Sequence, residues 1–184
     1  MSRTLPYSWG STAEEHARRY PADDLIAGRT IRLTRAVDVA APAELAYRWL
    51  CQVSVAPYSY DLLDNLGRRS PTELSEGADQ LQVGQPMMVF ELTDVQPGRQ
   101  FTGTSLPGPQ RLFGRLAATY AVEPVDASHS RLVCRLLVGT ASLLRRVTAL
   151  PLAWGDLLMM RKQLLNLARL AARDAQNASV IPLR

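Results

Sequence analysis

Polar and apolar residues change rhythm several times along this chain, and each change marks an element. Over RTIRLTRAVDV (29–39), Ile31, Leu33, Val37 and Val39 alternate with Thr30, Arg32, Thr34 and Asp38. A period of two predicts a strand with one dry face. Arg35 breaks the rule by falling on that dry face. It is either a strand-end residue whose stem lies on apolar surface while its head reaches water, or a cation inside a cavity. APAELAYRWLCQ (41–52) shifts to helical spacing, with Pro42 at a first-turn position and Glu44 suited to the N-terminus. After Pro57, SYDLLDNLG reads as a second short helix stopped at Gly67. Before all of these, Ser11 with Glu14 and Thr12 with Glu15 each offer a capping box for a short helix ending before Pro21.

From residue 82 the period returns to two. VGQPMMVFELTDV, RQFTGTS, LFGRLAATYAVEPV and SRLVCRLLVGT predict strands joined by Pro-Gly, Leu-Pro-Gly-Pro and Asp-Ala-Ser-His turns, which together make an antiparallel meander. The inward face of the 86–96 strand stays open, because Met87/Val89/Glu91/Val95 and Met88/Phe90/Leu92 are nearly equally apolar. In the 112–122 strand the inner positions are Leu112, Gly114, Leu116, Ala118, Tyr120 and Val122; in the next they are Leu132, Cys134, Leu136 and Val138. The first face is thin, which leaves room for a closely packed helix or a cavity. Arg115 and Arg135, at odd positions, are assigned to the solvent side. LPLAWGDLLMMRKQLLNLARLAARD (150–174) predicts a long helix with Pro151 near its start. Its apolar stripe runs through Ala153, Leu157, Met160, Leu164, Leu167, Ala168 and Ala171, widened by Trp154, Leu158 and Leu165. The tail from 175 to 184 carries no clear pattern.

The composition of the 184 residues, 47% hydrophobic and 21% charged, is that of an ordinary globular domain. A net charge of +4 is spread along the chain, which argues against nucleic-acid binding. Cys51 and Cys134 sit among apolar residues and are expected to be buried free thiols. With only His16 and His129 besides, neither a metal-ligand spacing nor a Ser–His–Asp or Cys–His set can be assembled, and no phosphate loop is present. There is no apolar leader and no run of the ~20 residues a membrane span needs, so a cytoplasmic protein without a transmembrane segment is expected.

Strand, two short helices, consecutive antiparallel strands and a long C-terminal amphipathic helix form an α+β order in which a bent sheet can grip the last helix. With VDVAAPAELAYRWLCQ, VGQPMMVFELTDVQPGRQF and GDLLMMRKQLLNLARLAA, the chain resembles the START/Bet v 1-like helix-grip superfamily, which includes the polyketide cyclase/dehydrase and lipid-transport group. APYSYDLLDNLGRRSP together with WGDLLMMRKQLLNL is similar to an uncharacterised bacterial subgroup of it. The resemblance divides the chain into an N-terminal extension (1–28), the helix-grip domain (29–174) and a tail (175–184). It implies a deep apolar cavity between sheet and C-terminal helix that takes a hydrophobic or aromatic small molecule, lipid- or polyketide-like, with no metal or organic cofactor. The oligomeric state stays open.

Two functions follow from that expectation: a non-catalytic binding protein, and a cyclase or aromatase that works by acid–base chemistry. The expected ligand contacts are Tyr120, Tyr60, Tyr58, Arg35, Leu116, Trp154, Leu158 and Met160. Tyr120 is the one polar handle on its inner face; its alternative role is a core tyrosine bonded to backbone. In 57–71, Asp61, Asp64 and Asn65 share a helical face, but Arg68 offers Asp64 an ion pair, so a structural corner, a ligand contact and a catalytic aspartate compete. Asp156 is read as a first-turn carboxylate that offsets the helix dipole. The test between binder and cyclase is whether two or more of these polar groups converge.

Overall fold

The computed structural model describes residues 4–59, 69–140 and 143–180, with side chains of the last segment from 147 to 179. Its sheet has seven strands among the described residues: β1 (Ser8–Trp9), β2 (Thr30–Val39), β3 (Pro86–Met87), β4 (Phe90–Gln96), β5 (Gln100–Ser105), β6 (Leu116–Pro124) and β7 (Ser130–Gly139). They lie in the order β1-β2-β7-β6-β5-β4-β3, antiparallel except for the parallel pair β1–β2. The helices are α1 (Ala13–Ala17), α2 (Ala43–Cys51), α3 (Pro107–Phe113) and α4 (Leu143–Val180). This is the expected α+β helix-grip arrangement: α4 lies against β2 and β7, and α2 packs on α4. The short helix expected over 59–67 lies, but for Ser59, outside the described residues.

Pairing explains which side chains meet. Arg35 is opposite Cys134, Cys134 opposite Tyr120, and Tyr120 opposite Phe101, giving one row across the inner face of four strands. The next inner row is Leu33, Leu136, Ala118, Gly103 and Leu92. The ambiguity of the 86–96 strand has a physical cause. Register slips between Leu92 and Asp94, so Phe90 and Leu92 enter the core by even parity while Val95 packs against it by odd parity.

The boundaries of two elements differ from expectation. Residues 107–113, expected as a turn and the start of a strand, form α3 with Pro107 at its first turn, where the missing N–H costs nothing. Leu112 accordingly stands in solvent instead of on the inner face, and the strand begins at Leu116. The last helix begins at Leu143 rather than near Pro151 and continues past Asp174 to Val180. Pro151 interrupts only the bond to the Val147 carbonyl, and both residues are on the exposed side of the helix, where water can supply the partner.

The outer face of the sheet is also dry. α1 starts with the predicted Thr12/Glu15 capping box, and the turn Pro21–Asp24 follows it across the sheet. Tyr20 packs with Ala36, Ala121 and Val133; Ala22 and Ile26 pack with Ala117 and Leu137. The backbone N–H of Ala22 donates to Thr119 Oγ1 at 3.0 Å, and Thr119 bonds Thr102 at 2.8 Å. This layer corrects the assignment of Arg135 to solvent: its side chain is fully buried. Its Nη2 donates to the carbonyls of Glu15, His16 and Arg18 at 2.9, 3.0 and 3.2 Å, its Nη1 lies 3.4 Å from Asp23, and its guanidinium covers the Tyr20 ring. Arg115 is exposed as expected.

Candidate functional site

Two of the expected residues, Arg35 and Tyr120, sit in the same row of the inner face, and α4 brings polar partners to both. Arg35 is 1% exposed. Its Nη2 donates to Asp156 Oδ2 at 2.8 Å and to the Ala153 carbonyl at 3.4 Å, and its Nη1 donates to the Thr34 carbonyl at 3.2 Å. Of the two readings of Arg35, the interior cation is the one realised. Its Nε is buried and has no acceptor among the described residues. A buried guanidinium is sustained only by charge and hydrogen bonds, so an unfilled donor on it is costly.

Asp156 is the residue that sequence reasoning misplaced. Because α4 starts at Leu143, Asp156 lies well inside the helix, not in a first turn, and its carboxylate turns inward to Arg35. Burial pushes its pKa up to about 6, although the Arg35 charge and hydrogen bond pull the other way. The signal available in the sequence was its position on α4 beside the apolar stripe of Ala153, Leu157 and Met160. A carboxylate there must face an interior partner, and Arg35 was the unexplained interior cation.

Tyr120 is 3% exposed and stacks on Phe101, with ring centroids 5.3 Å apart. Its hydroxyl donates to Gln163 Oε1 at 3.3 Å and approaches Met160 Sδ at 3.5 Å. Gln163 in turn donates to the Pro57 carbonyl. Burial raises the phenol well above its ordinary pKa, with Cys134 and Asp156 adding to the shift. Burial likewise raises the Cys134 thiol, and both cysteines are free and buried as expected. Arg35, Asp156, Cys134, Tyr120 and Gln163 therefore form one polar patch on an otherwise apolar face.

The remaining expected contacts divide. Leu116 and Met160 are buried on the inner side. Tyr58 is a core residue in a left-handed conformation (φ 54), its ring edge-on to Trp49 at 6.3 Å and its carbonyl accepting from Asn166 Nδ2 at 2.9 Å. Tyr60, with Asp61, Asp64, Asn65 and Arg68, lies outside the described residues. Trp154 and Leu158 are corrected: they are 45% and 56% exposed. At 100° per residue they lie about 90° and 130° round α4 from the centre of the buried stripe, so they belong to an exposed row on its flank and do not widen it.

Leu136 is the partly exposed member of the inner row and packs against the core. It belongs to a central strand, between β2 and β6, yet keeps accessible surface while its row neighbours Leu33 and Ala118 are buried. Ala118 and Gly103 beside it present almost no side chain toward α4. A separate cleft of about 260 Å³ opens beside α2, lined by Arg48, Gln52, Leu74, Ser75, Glu76, Gly77 and Asp79. Its walls are mostly polar, and it does not reach the Arg35–Asp156 pair.

No protein-family model matches the chain, and no curated protein matches it. Solved structures do. The Zhui aromatase/cyclase from Streptomyces sp. R1128 is 17% identical, with 83% of this chain and 100% of that one covered and a TM-score of 0.54. A point mutant of norcoclaurine synthase from Thalictrum flavum, in complex with a transition-state analogue, is 14% identical over 81% of this chain and 98% of that one, with a TM-score of 0.56. A second norcoclaurine synthase structure from that plant is 13% identical, covers 80% and 87%, and has a TM-score of 0.52. At such identities the likeness is one of fold, and the fold is the α+β helix grip expected from the sequence.

Proposed function

We propose that this protein binds a hydrophobic or aromatic small molecule carrying an oxygen acceptor, held between the inner face of the sheet and α4. The observation that carries this reading is the buried Arg35 guanidinium with an unfilled Nε donor in an apolar surround. A carbonyl, phenolate or carboxylate oxygen on the ligand would complete its hydrogen bonds, while Leu116, Leu136, Ala118 and Phe101 would contact the apolar body. The accessible surface of Leu136 supports room for such a body.

A second reading, a cyclase or aromatase-type enzyme, is favoured by one further observation: Asp156, with its pKa near 6, stands beside Arg35 in the patch that also holds Tyr120. Arg35, Asp156 and Tyr120 on one patch supply the kinds of group a cyclase would use, which supports this reading. Arg35 would polarise a substrate carbonyl, and Asp156 would move a proton near neutral pH. That Zhui is an aromatase/cyclase with this fold is compatible with the reading but is said of Zhui.

Native mass spectrometry of protein purified from its host tests the first reading, with displacement of the apolar fluorophore N-phenylnaphthylamine as the second measurement. A retained small molecule, lost together with most fluorophore binding in Arg35→Met, is the expected result. Absence of both a retained molecule and fluorophore binding would overturn it. Under the second reading, Asp156→Asn retains the molecule unchanged in affinity, whereas the parent releases it chemically altered.

A further inference from the structure

One flank of α4, beside its buried stripe, carries an exposed apolar row. Val147, Leu150, Trp154, Leu158 and Leu165 fall within it at helical spacing and are between 41% and 68% exposed. The row runs from residue 147 to 165, about 27 Å of helix. Scattered exposed leucines need no explanation, but an aligned row of five that includes a tryptophan does. The charges beside it have one sign. From residue 147 to 172 the sequence holds a single carboxylate, Asp156, and that one is turned inward onto Arg35. The exposed cations on the same length of helix are Arg161, Lys162 and Arg169, with the Arg161 guanidinium resting over the Trp9 ring.

We propose that this face of α4 docks on an anionic lipid surface, lying in the plane of the headgroups with the row immersed and the cations against phosphate. A helix with an apolar row, a tryptophan and flanking cations free of exposed carboxylates has the composition of an interfacial helix. No helix among the described residues is long and apolar enough to cross a membrane. A second copy of the chain fits the face less well. Two such rows laid together would bring Arg161 and Arg169 of each toward a row that itself contributes no exposed carboxylate.

Flotation with vesicles tests the proposal on the full chain. Vesicles of phosphatidylcholine with phosphatidylglycerol should carry the protein, phosphatidylcholine alone should carry little, and high salt should release it. The double variant Leu150→Glu/Leu165→Glu should lower the bound fraction at limiting lipid by roughly tenfold or more, since each change puts a charge where an apolar side chain would be buried. Arg169→Glu, a single exposed change that leaves the apolar row intact, should weaken binding to the anionic vesicles several-fold while leaving the melting temperature in place. No flotation, flotation indifferent to phosphatidylglycerol, or variants that float like the parent would overturn the proposal. So would a parent dimer that the double variant turns into a monomer, because a second copy would then cover the row. The proposal does not depend on the interior ligand: an empty host-purified protein would leave these outcomes unchanged.

Discussion

Asp156 is held in the fold at a cost. A carboxylate with an ordinary pKa of 3.8 and a folded value of about 6 binds its proton more tightly in the native than in the unfolded chain. Stability from this group is therefore greatest below pH 4 and falls as pH rises through 4 to 6, opposite to the usual salt-bridged aspartate. Asp156→Asn, which keeps an amide oxygen for Arg35 but removes its counter-charge, is expected to gain on the parent in stability as pH rises from 4 to 7, on top of a pH-independent loss from the broken ion pair. Urea denaturation of both proteins at a series of pH values checks this. A gap between the two proteins that does not change with pH would refute the assigned environment. Arg35 was legible in the sequence because it broke a strict alternation. Asp156 was not, because its meaning depended on where the helix began, and Pro151 reads as a start signal whether or not the helix continues upstream of it.

The elements that the sequence hid share a physical cause: each depends on what covers a surface. Alternation places Arg135 opposite Leu136 and Cys134, but parity only says that a side chain points to the other face, not that the other face is wet. Here the segment from α1 through the turn Pro21–Asp24 lies on it, and one guanidinium ties three consecutive-turn carbonyls to β7. Replacing Arg135 with Met would leave those carbonyls without their donor while keeping most of the apolar volume. The expected loss is roughly 2–4 kcal/mol in urea denaturation, the scale of two or three unsatisfied buried acceptors after partial relaxation. Trypsin should then cut first at Arg18 or Arg19, because the segment's anchor is gone while β6 and β7 remain paired. Equal protection of those two sites in parent and variant would mean that Tyr20, Ala22 and Ile26 hold the segment without it. Strands β2, β6 and β7 and helix α2 were legible because their apolar periodicity on the inner side is unbroken but for Arg35, whatever covers the other side. α3 was missed because its prolines are read as turn residues, and they serve equally in the first turn of a helix.

At the scale of the whole molecule the sheet is sealed on its convex side and equipped on its concave side. The two faces differ in what their arginines meet: on the outer one Arg135 Nη2 is taken up by three backbone carbonyls, on the inner one Arg35 Nη2 is taken up by the Asp156 carboxylate, and in both the Nε is buried without a partner among the described residues. A fold that spends stability at Asp156 and Arg35 needs it elsewhere, and the N-terminal layer is where the described structure supplies it. Residues before β2 are part of that balance. Trp9 pairs with Arg35 in the parallel register of β1 on β2, and Gly10 (φ 69) brings its backbone so close to Ala36 that a Cβ there would sit 2.0 Å from the Ala36 carbonyl oxygen. A chain lacking residues 1–28 would expose Ala36, Ala117, Ala121, Val133 and Leu137, leave Arg135 with neither its carbonyl acceptors nor Asp23, and strip β2 of its outer neighbour. Differential scanning calorimetry of that truncated chain is expected to show no cooperative transition, with near-ultraviolet dichroism flattened and N-phenylnaphthylamine bound without regard to Arg35. A cooperative transition within a few degrees of the parent would instead make residues 29–174 a self-sufficient domain, and the first 28 residues an attachment that the site does without.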